Sequence, residues 1–172
     1  MENLNPSKRQ EFNRPKGKKE SKQFPRGEKE ILMCKVCNAV YWKKSWHHNL
    51  DEYPGLNENK DLSFTICPAD QMIQGGKFEG EVVLEKVPEN FRAEIINLIE
   101  NMGKQAYEMD CQDRVISIKP EGESSLMFWT TENQLAIKIA KKIAHTYNGE
   151  LDIKYSDKEQ PARATIVFSD RA

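Results

Sequence analysis

No stretch of the chain approaches the roughly 18 consecutive apolar residues of a membrane-spanning helix. The first thirty residues are basic and polar, without the apolar core of a secretory signal. The cytoplasm is the expected compartment, with no membrane partner. The signatures of common catalysts are also missing. From residue 75 onward there is no Gly-rich phosphate loop, nucleophile elbow, H-E-x-x-H helix, or recognisably spaced set of Lys, Asp and Ser. The expectation is a non-enzymatic protein, with no small-molecule substrate identifiable from the sequence. Cysteine is scarce, with four in 172 residues, and in a reducing compartment their spacing argues against disulfides.

The chain divides its charge unevenly. Charged residues make up 31% and apolar ones 38%, a globular composition richer in charge than usual, and the net charge is −1. Residues 1–29 hold nine Lys and Arg against four Glu, a net +5, so the remainder carries −6. Met1, Leu4, Phe12 and Phe24 are the tail's apolar side chains, spaced without period, and Pro6, Pro15 and Pro25 punctuate it. Such a segment buries too little surface to offset its ordering entropy, so it is expected to be disordered in isolation. Lys and Arg displace counterions from phosphate and Phe stacks on bases, which makes Arg14, Lys16, Lys18, Lys19, Lys22 and Arg26 candidate polyanion contacts. A merely solubilising tail is the alternative.

Residues 30–74 read as a small module. Cys34 and Cys37 form a C-x-x-C, and Cys67 opens Cys-Pro-Ala-Asp after a loop, like the two ends of a zinc ribbon. A C-x-x-C turn offers two thiolates from one tight knuckle, and a second knuckle normally supplies the other pair. Here its last position is Asp70. That carboxylate can complete a Zn2+ shell, or His47 or His48 can supply a nitrogen; Asp70 is preferred because it occupies the knuckle position. A ribbon that has lost its metal and a redox C-x-x-C are the competing readings. Cys111, beyond the knuckles, is expected to be a small buried or partly exposed side chain and not a ligand.

Between the knuckles, residues 39–46 (Ala-Val-Tyr-Trp-Lys-Lys-Ser-Trp) are aromatic and β-prone, and Leu62 to Ile66 alternates as a strand does. Residues 51–61, with Pro54, Gly55 and Asn57, form a loop. Trp42 and Trp46 are core, lids over the site, or an exposed surface that stacks nucleic acid, and in the last case Tyr41, Lys43 and Lys44 share the presented loop.

From residue 75 to 172 the pattern becomes regular. A strand over 81–85 precedes a helix opened near Pro88, with Phe91, Ile95, Leu98 and Met102 on one face and Gly103 as a stop or weak point. Residues 114–119 and 126–130 form a hairpin. Thr131, with Gln134 three residues on, is an N-cap candidate for a second helix that buries Leu135, Ala136, Ile139, Ala140, Ile143 and Tyr147 and ends at Asn148-Gly149. Leu151, Ile153 and Tyr155 alternate along one strand, and Ala164, Ile166 and Phe168 along a last one after Pro161. The fold class is α+β: a zinc-ribbon-like module, then a ferredoxin-like split β-α-β domain with an extra strand. From Ile73 onward 13 basic residues face 17 acidic ones, a poor balance for a general RNA platform. Lys138, Lys141, Lys142 and His145 form a basic strip most simply read as a solvated helix face.

The order of features resembles a family of short prokaryotic zinc-ribbon proteins related to the zinc-ribbon export adaptor of the large ribosomal subunit. The likeness rests on the basic tail, the C-x-x-C with its aromatic run, the Cys-Pro-Ala knuckle, Glu94 to Ile99 (Glu-Ile-Ile-Asn-Leu-Ile) and His145 to Asp152 (His-Thr-Tyr-Asn-Gly-Glu-Leu-Asp). The resemblance implies ribosomal RNA or a ribosomal particle as partner, and places the paired knuckles on Cys34, Cys37, Cys67 and Asp70, the last a departure from the family's cysteine. It implies no catalytic residue. A metal-dependent hydrolase or nuclease using an open metal position beside His47 and His48, or a protein-interaction adaptor, are the alternatives.

Overall fold

The computed structural model describes residues 31–42, 44–49, 62–154 and 162–169. The basic tail, Lys43, the expected loop over 51–61, Tyr155 and Pro161 lie outside the described residues. Among the described residues, nine strands in two sheets and three helices make a mixed α+β fold. None of these helices is long and apolar enough to cross a membrane.

The first sheet has the order β3-β2-β1-β4, built from β1 (Ile31–Cys34), β2 (Val40–Trp42), β3 (Ser45–His47) and β4 (Leu62–Thr65). The aromatic run folds back on itself, because Lys44 takes a left-handed φ of 69° that turns β2 into β3 and pairs Tyr41 with Trp46. Register then puts Leu32, Tyr41 and Trp46 side by side on one face. β4 runs parallel to β1, which brings Thr65 beside Cys34 and so the second cysteine segment beside the first.

That second segment is not a turn between strands. Cys67 is the N-cap of a short helix, α1 (Pro68–Gln74), whose first turn holds Pro68, where a missing N–H leaves no gap in the ladder. Cys67 and Asp70 therefore lie one helical turn apart on the same side.

The second sheet is β6-β7-β5-β9-β8, from β5 (Gly80–Glu85), β6 (Val115–Pro120), β7 (Leu126–Thr130), β8 (Glu150–Lys154) and β9 (Ala162–Val167). The β6–β7 hairpin is as expected, but the last strand is internal: β9 pairs in parallel with β5 and pushes β8 to the edge. Helices α2 (Glu89–Met109) and α3 (Asn133–Tyr147) share a core with one sheet face, where Val82, Leu84, Phe128 and Ile166 meet Ile95, Ile99, Ile139 and Ile143. Burying each such aliphatic side chain contributes roughly 1.5–3 kcal/mol. Trp129, next to the buried Phe128, faces the other way and stacks on Phe78 with centroids 4.7 Å apart.

Two expectations about the helices are corrected. Gly103 does not end α2, which continues for six more residues to Met109. It is glycine because the helix passes very close to β6: a Cβ there would lie 2.6 Å from Val115 Cγ2. The most buried stripe is accordingly Ile95, Ile99 and Gly103, with Phe91, Leu98 and Met102 beside it. Thr131 is not the cap of α3; the Glu132 carboxylate accepts from the Gln134 N–H instead. The Thr131 hydroxyl is engaged elsewhere, donating to the Gln112 carbonyl at 2.6 Å and accepting the Arg114 N–H at 2.8 Å.

Candidate metal centre

Four side chains that sequence spacing singled out converge. One ligand atom each from Cys34, Cys37, Cys67 and Asp70 lies within 4.8 Å of all the others. The local backbone explains how. The β1–β2 turn closes through Cys34 N–H to Ala39 O at 2.7 Å and Asn38 N–H to Cys34 O at 3.1 Å, with Asn38 in the left-handed region at φ 63°. This curls Cys37 back over Cys34. Lys35 N–H to Thr65 O, 2.9 Å, fastens the turn to the end of β4, and α1 starts three residues later.

One distance within the cluster fits a four-coordinate ion directly. Cys37 Sγ and Cys67 Sγ are 3.7 Å apart. Two sulfurs bound to one tetrahedral ion at about 2.3 Å would be separated by about 3.8 Å. The thiols of Cys34 and Cys67 each donate to Asp70 Oδ2 at 3.1 Å, so a single carboxylate oxygen points into the cluster. Backbone N–H groups face the sulfurs: Val36 and Cys67 donate to Cys34 Sγ at 3.5 and 3.3 Å, and Asp70 N–H to Cys67 Sγ at 3.4 Å. Three thiols and a carboxylate in this arrangement can hold a metal ion.

The site is interior. Cys34 and Cys67 are fully buried and Asp70 is 4% exposed, within a cluster that includes Leu32, Ala39, Tyr41, Trp46 and Ala69. Burial pushes the Cys67 thiol well above its ordinary value, with the Asp70 carboxylate adding to the rise, and raises Cys37 in the same way. For Asp70 burial acts upward too, but the surrounding thiol donors and the Arg114 charge outweigh it and hold the carboxyl below the usual range.

Arg114 is the residue that sequence reasoning missed. It enters from the start of the second sheet, just before β6, and its side chain is 14% exposed. Nη1 donates to Asp70 Oδ1 at 2.8 Å, Nη2 to Cys37 Sγ at 3.2 Å, and Nε to the Cys111 carbonyl at 2.8 Å. The guanidinium also lies over the Tyr107 ring, 5.3 Å from its centroid. The one sequence hint was chemical: an Asp in place of a fourth cysteine leaves a second oxygen that wants a cationic partner. Cys111 is buried in the same interior, its thiol pushed up to about 11 by burial, and it stands outside the ligand group as expected.

The histidines are occupied away from the cluster. His47 Nε2 donates to the Trp42 carbonyl at 3.3 Å and His48 Nε2 to the Glu108 carbonyl at 3.1 Å, with the His48 ring edge-on to Tyr107. Of the expected nucleic-acid contacts, Trp46 is 5% exposed and Tyr41 is fully buried, their rings packed against each other at 5.4 Å. Burial takes both out of any stacking surface, because their faces are covered by the interior that encloses the cysteines. Trp42 is half-buried against Ile31 and Val40, and Lys44 is exposed at the hairpin turn. Arg14, Lys16, Lys18, Lys19, Lys22, Arg26 and Lys43 lie outside the described residues. Comparison of the chain with protein-family models, with curated proteins and with solved structures finds no match.

Proposed function

We propose that Cys34, Cys37, Cys67 and Asp70 form a structural zinc centre in a zinc-ribbon-like module, and that the chain is a non-enzymatic protein that docks on ribosomal RNA or a ribosomal particle. The observation that carries the first half is closure. Two thiols are fully buried, the carboxylate is nearly so, and Arg114 covers the site with its hydrogen bonds to Asp70 and Cys37. A catalytic zinc needs an open position for water and a base beside it. The nearby histidines are committed to backbone carbonyls, which favours the structural reading over the hydrolase.

The second half rests on charge. Residues 1–29 carry +5 while the remainder carries −6, a separation that suits a tail lying along phosphate beside a body that avoids general RNA contact. The second sheet, a ferredoxin-like split β-α-β arrangement with β9 inserted, serves in this reading as the body that places the ribbon and tail.

Co-sedimentation with ribosomal particles at low and high salt, for the full chain and for a chain beginning at Glu30, tests the docking. Each phosphate contact contributes a slope of roughly −0.7 to −0.9 in log affinity against log salt. The account expects the truncated chain to bind more weakly and with a flatter slope. An unchanged slope would remove the tail from the mechanism, and absence of binding to any particle would remove the partner.

A further inference from the structure

The metal centre draws on both halves of the chain, and one residue makes the connection. We infer that Arg114 is a positioning residue for the metal centre: it fixes Asp70 as a one-oxygen ligand, offsets excess charge, and makes metal loading lock the second sheet onto the ribbon module. The inference rests on reading the cluster as a structural metal site.

Three observations carry it. First, the two carboxylate oxygens of Asp70 have different tasks. Oδ2 faces the thiols of Cys34 and Cys67 at 3.1 Å, whereas Oδ1 is held by Arg114 Nη1 at 2.8 Å. A carboxylate restrained this way presents one oxygen in a set direction, as a hydrogen-bonded ligand must. Second, three thiolates and a carboxylate carry −4 against a divalent ion's +2. One part-buried guanidinium touching both Asp70 and Cys37 reduces the remainder from −2 to −1.

Third, Arg114 is held by the second sheet and not by the ribbon. Its N–H and C=O bond to the hydroxyl and N–H of Thr131, at the end of β7, at 2.8 and 2.9 Å. Around it, Gln112 Oε1 accepts the Ala69 N–H of α1 at 3.1 Å, and Tyr107 and Cys111 pack into the ribbon interior. Contacts between the modules thus gather around the ligands. An ion that fixes Asp70 and Cys37 also fixes Arg114, and through it residues 107–114. The arginine is 44 residues from Asp70 in sequence, so the coupling is tertiary.

The test loads the full-length protein with Zn2+ or Co2+ alone, and follows affinity, the Co2+ absorption spectrum and amide hydrogen exchange. The wild type is expected to take up one ion with exchange in residues 107–114 slowed at least about tenfold. Arg114→Gln is expected to bind one ion about 10–100-fold more weakly, with a shifted Co2+ spectrum and without the slowing. Arg114→Lys, which keeps the charge but not the fork, should recover part of the affinity and not the spectrum. Affinity of Arg114→Gln within twofold of wild type overturns the inference, as does loading of the wild type that leaves exchange in 107–114 unchanged; either leaves the metal centre standing. A wild type that takes up no stoichiometric ion overturns the metal reading and this inference together.

Discussion

Arg114 Nη1 lies 2.8 Å from Asp70 Oδ1, and the pair is largely withdrawn from solvent, with side-chain exposures of 14% and 5%. An ion pair this deep is held by what each partner does for a third group, because desolvation alone makes it costly. Here the third group is the set of thiols at Cys34, Cys37 and Cys67, one of which Arg114 also touches at 3.2 Å.

Removing the carboxylate therefore does two kinds of damage. Asp70→Ala deletes a ligand and takes the carboxylate partner from the part-buried Arg114 guanidinium, which keeps its contacts to Cys37 and Cys111, so stability should fall by roughly 1–3 kcal/mol. Chemical denaturation should show that loss, and bound metal per chain should fall in the same samples. Asp70→Cys restores a fourth sulfur but leaves Arg114 without its carboxylate; it should retain metal and still unfold earlier than wild type.

The hydroxyl of Thr131 holds the loop that carries Arg114. Thr131→Val keeps the shape and leaves the Gln112 carbonyl and Arg114 N–H without that partner, for a loss of about 1–3 kcal/mol. Thr131→Ser should recover most of it, as read from denaturation midpoints.

At Gly103 the close approach of α2 to β6 sets the residue. Gly103→Ala places a methyl 2.6 Å from Val115 Cγ2, so the usual gain of alanine in a helix reverses. Thermal unfolding should show a loss of about 1–3 kcal/mol, and pairing the change with Val115→Ala should recover part of it.

Asp113 supplies a pH signature. Burial first, then the charges of Asp110 and Glu132 against a smaller opposing effect of Lys138, push its carboxyl up to about 6. An acid with a raised folded-state value penalises folding where it is ionised, above pH 6, and the penalty fades as pH falls from 6 towards 4. Asp113→Asn should thus be more stable than wild type at pH 7.5, by roughly 1 kcal/mol after allowance for solvent screening, with the advantage shrinking at pH 5. Carbon-13 titration of the side chain should give a midpoint near 6; a midpoint near 4 contradicts the assignment.

What could be read from the sequence was what local spacing encodes. Cys34, Cys37, Cys67 and Asp70 were legible because each pair sits within one turn of backbone, and the helix faces and hairpin because periodicity is local. The helical form of the Cys67 segment had a signal that went unused, a cap position followed by proline. For Arg114 there was only the chemical hint that Asp70 wants a cationic partner; which residue supplies it depends on a fold that brings residues 70 and 114 together. Gly103 reads as a stop or a weak point because glycine is a weak helix former; only the position of Val115 reveals a close contact. The chemistry of Trp46 gave no choice between core and surface until β2 and β3 paired and turned it inward.

The central claim is a metal centre of three sulfurs and one oxygen, and X-ray absorption at the zinc edge of the purified full-length protein tests it most directly. The account predicts about one zinc per chain, with three sulfurs at about 2.3 Å and one oxygen at about 2.0–2.2 Å, and loss of the oxygen in Asp70→Ala. A shell of four sulfurs, which would require Cys111 to replace Asp70, or a protein that retains no zinc after reconstitution, would contradict it.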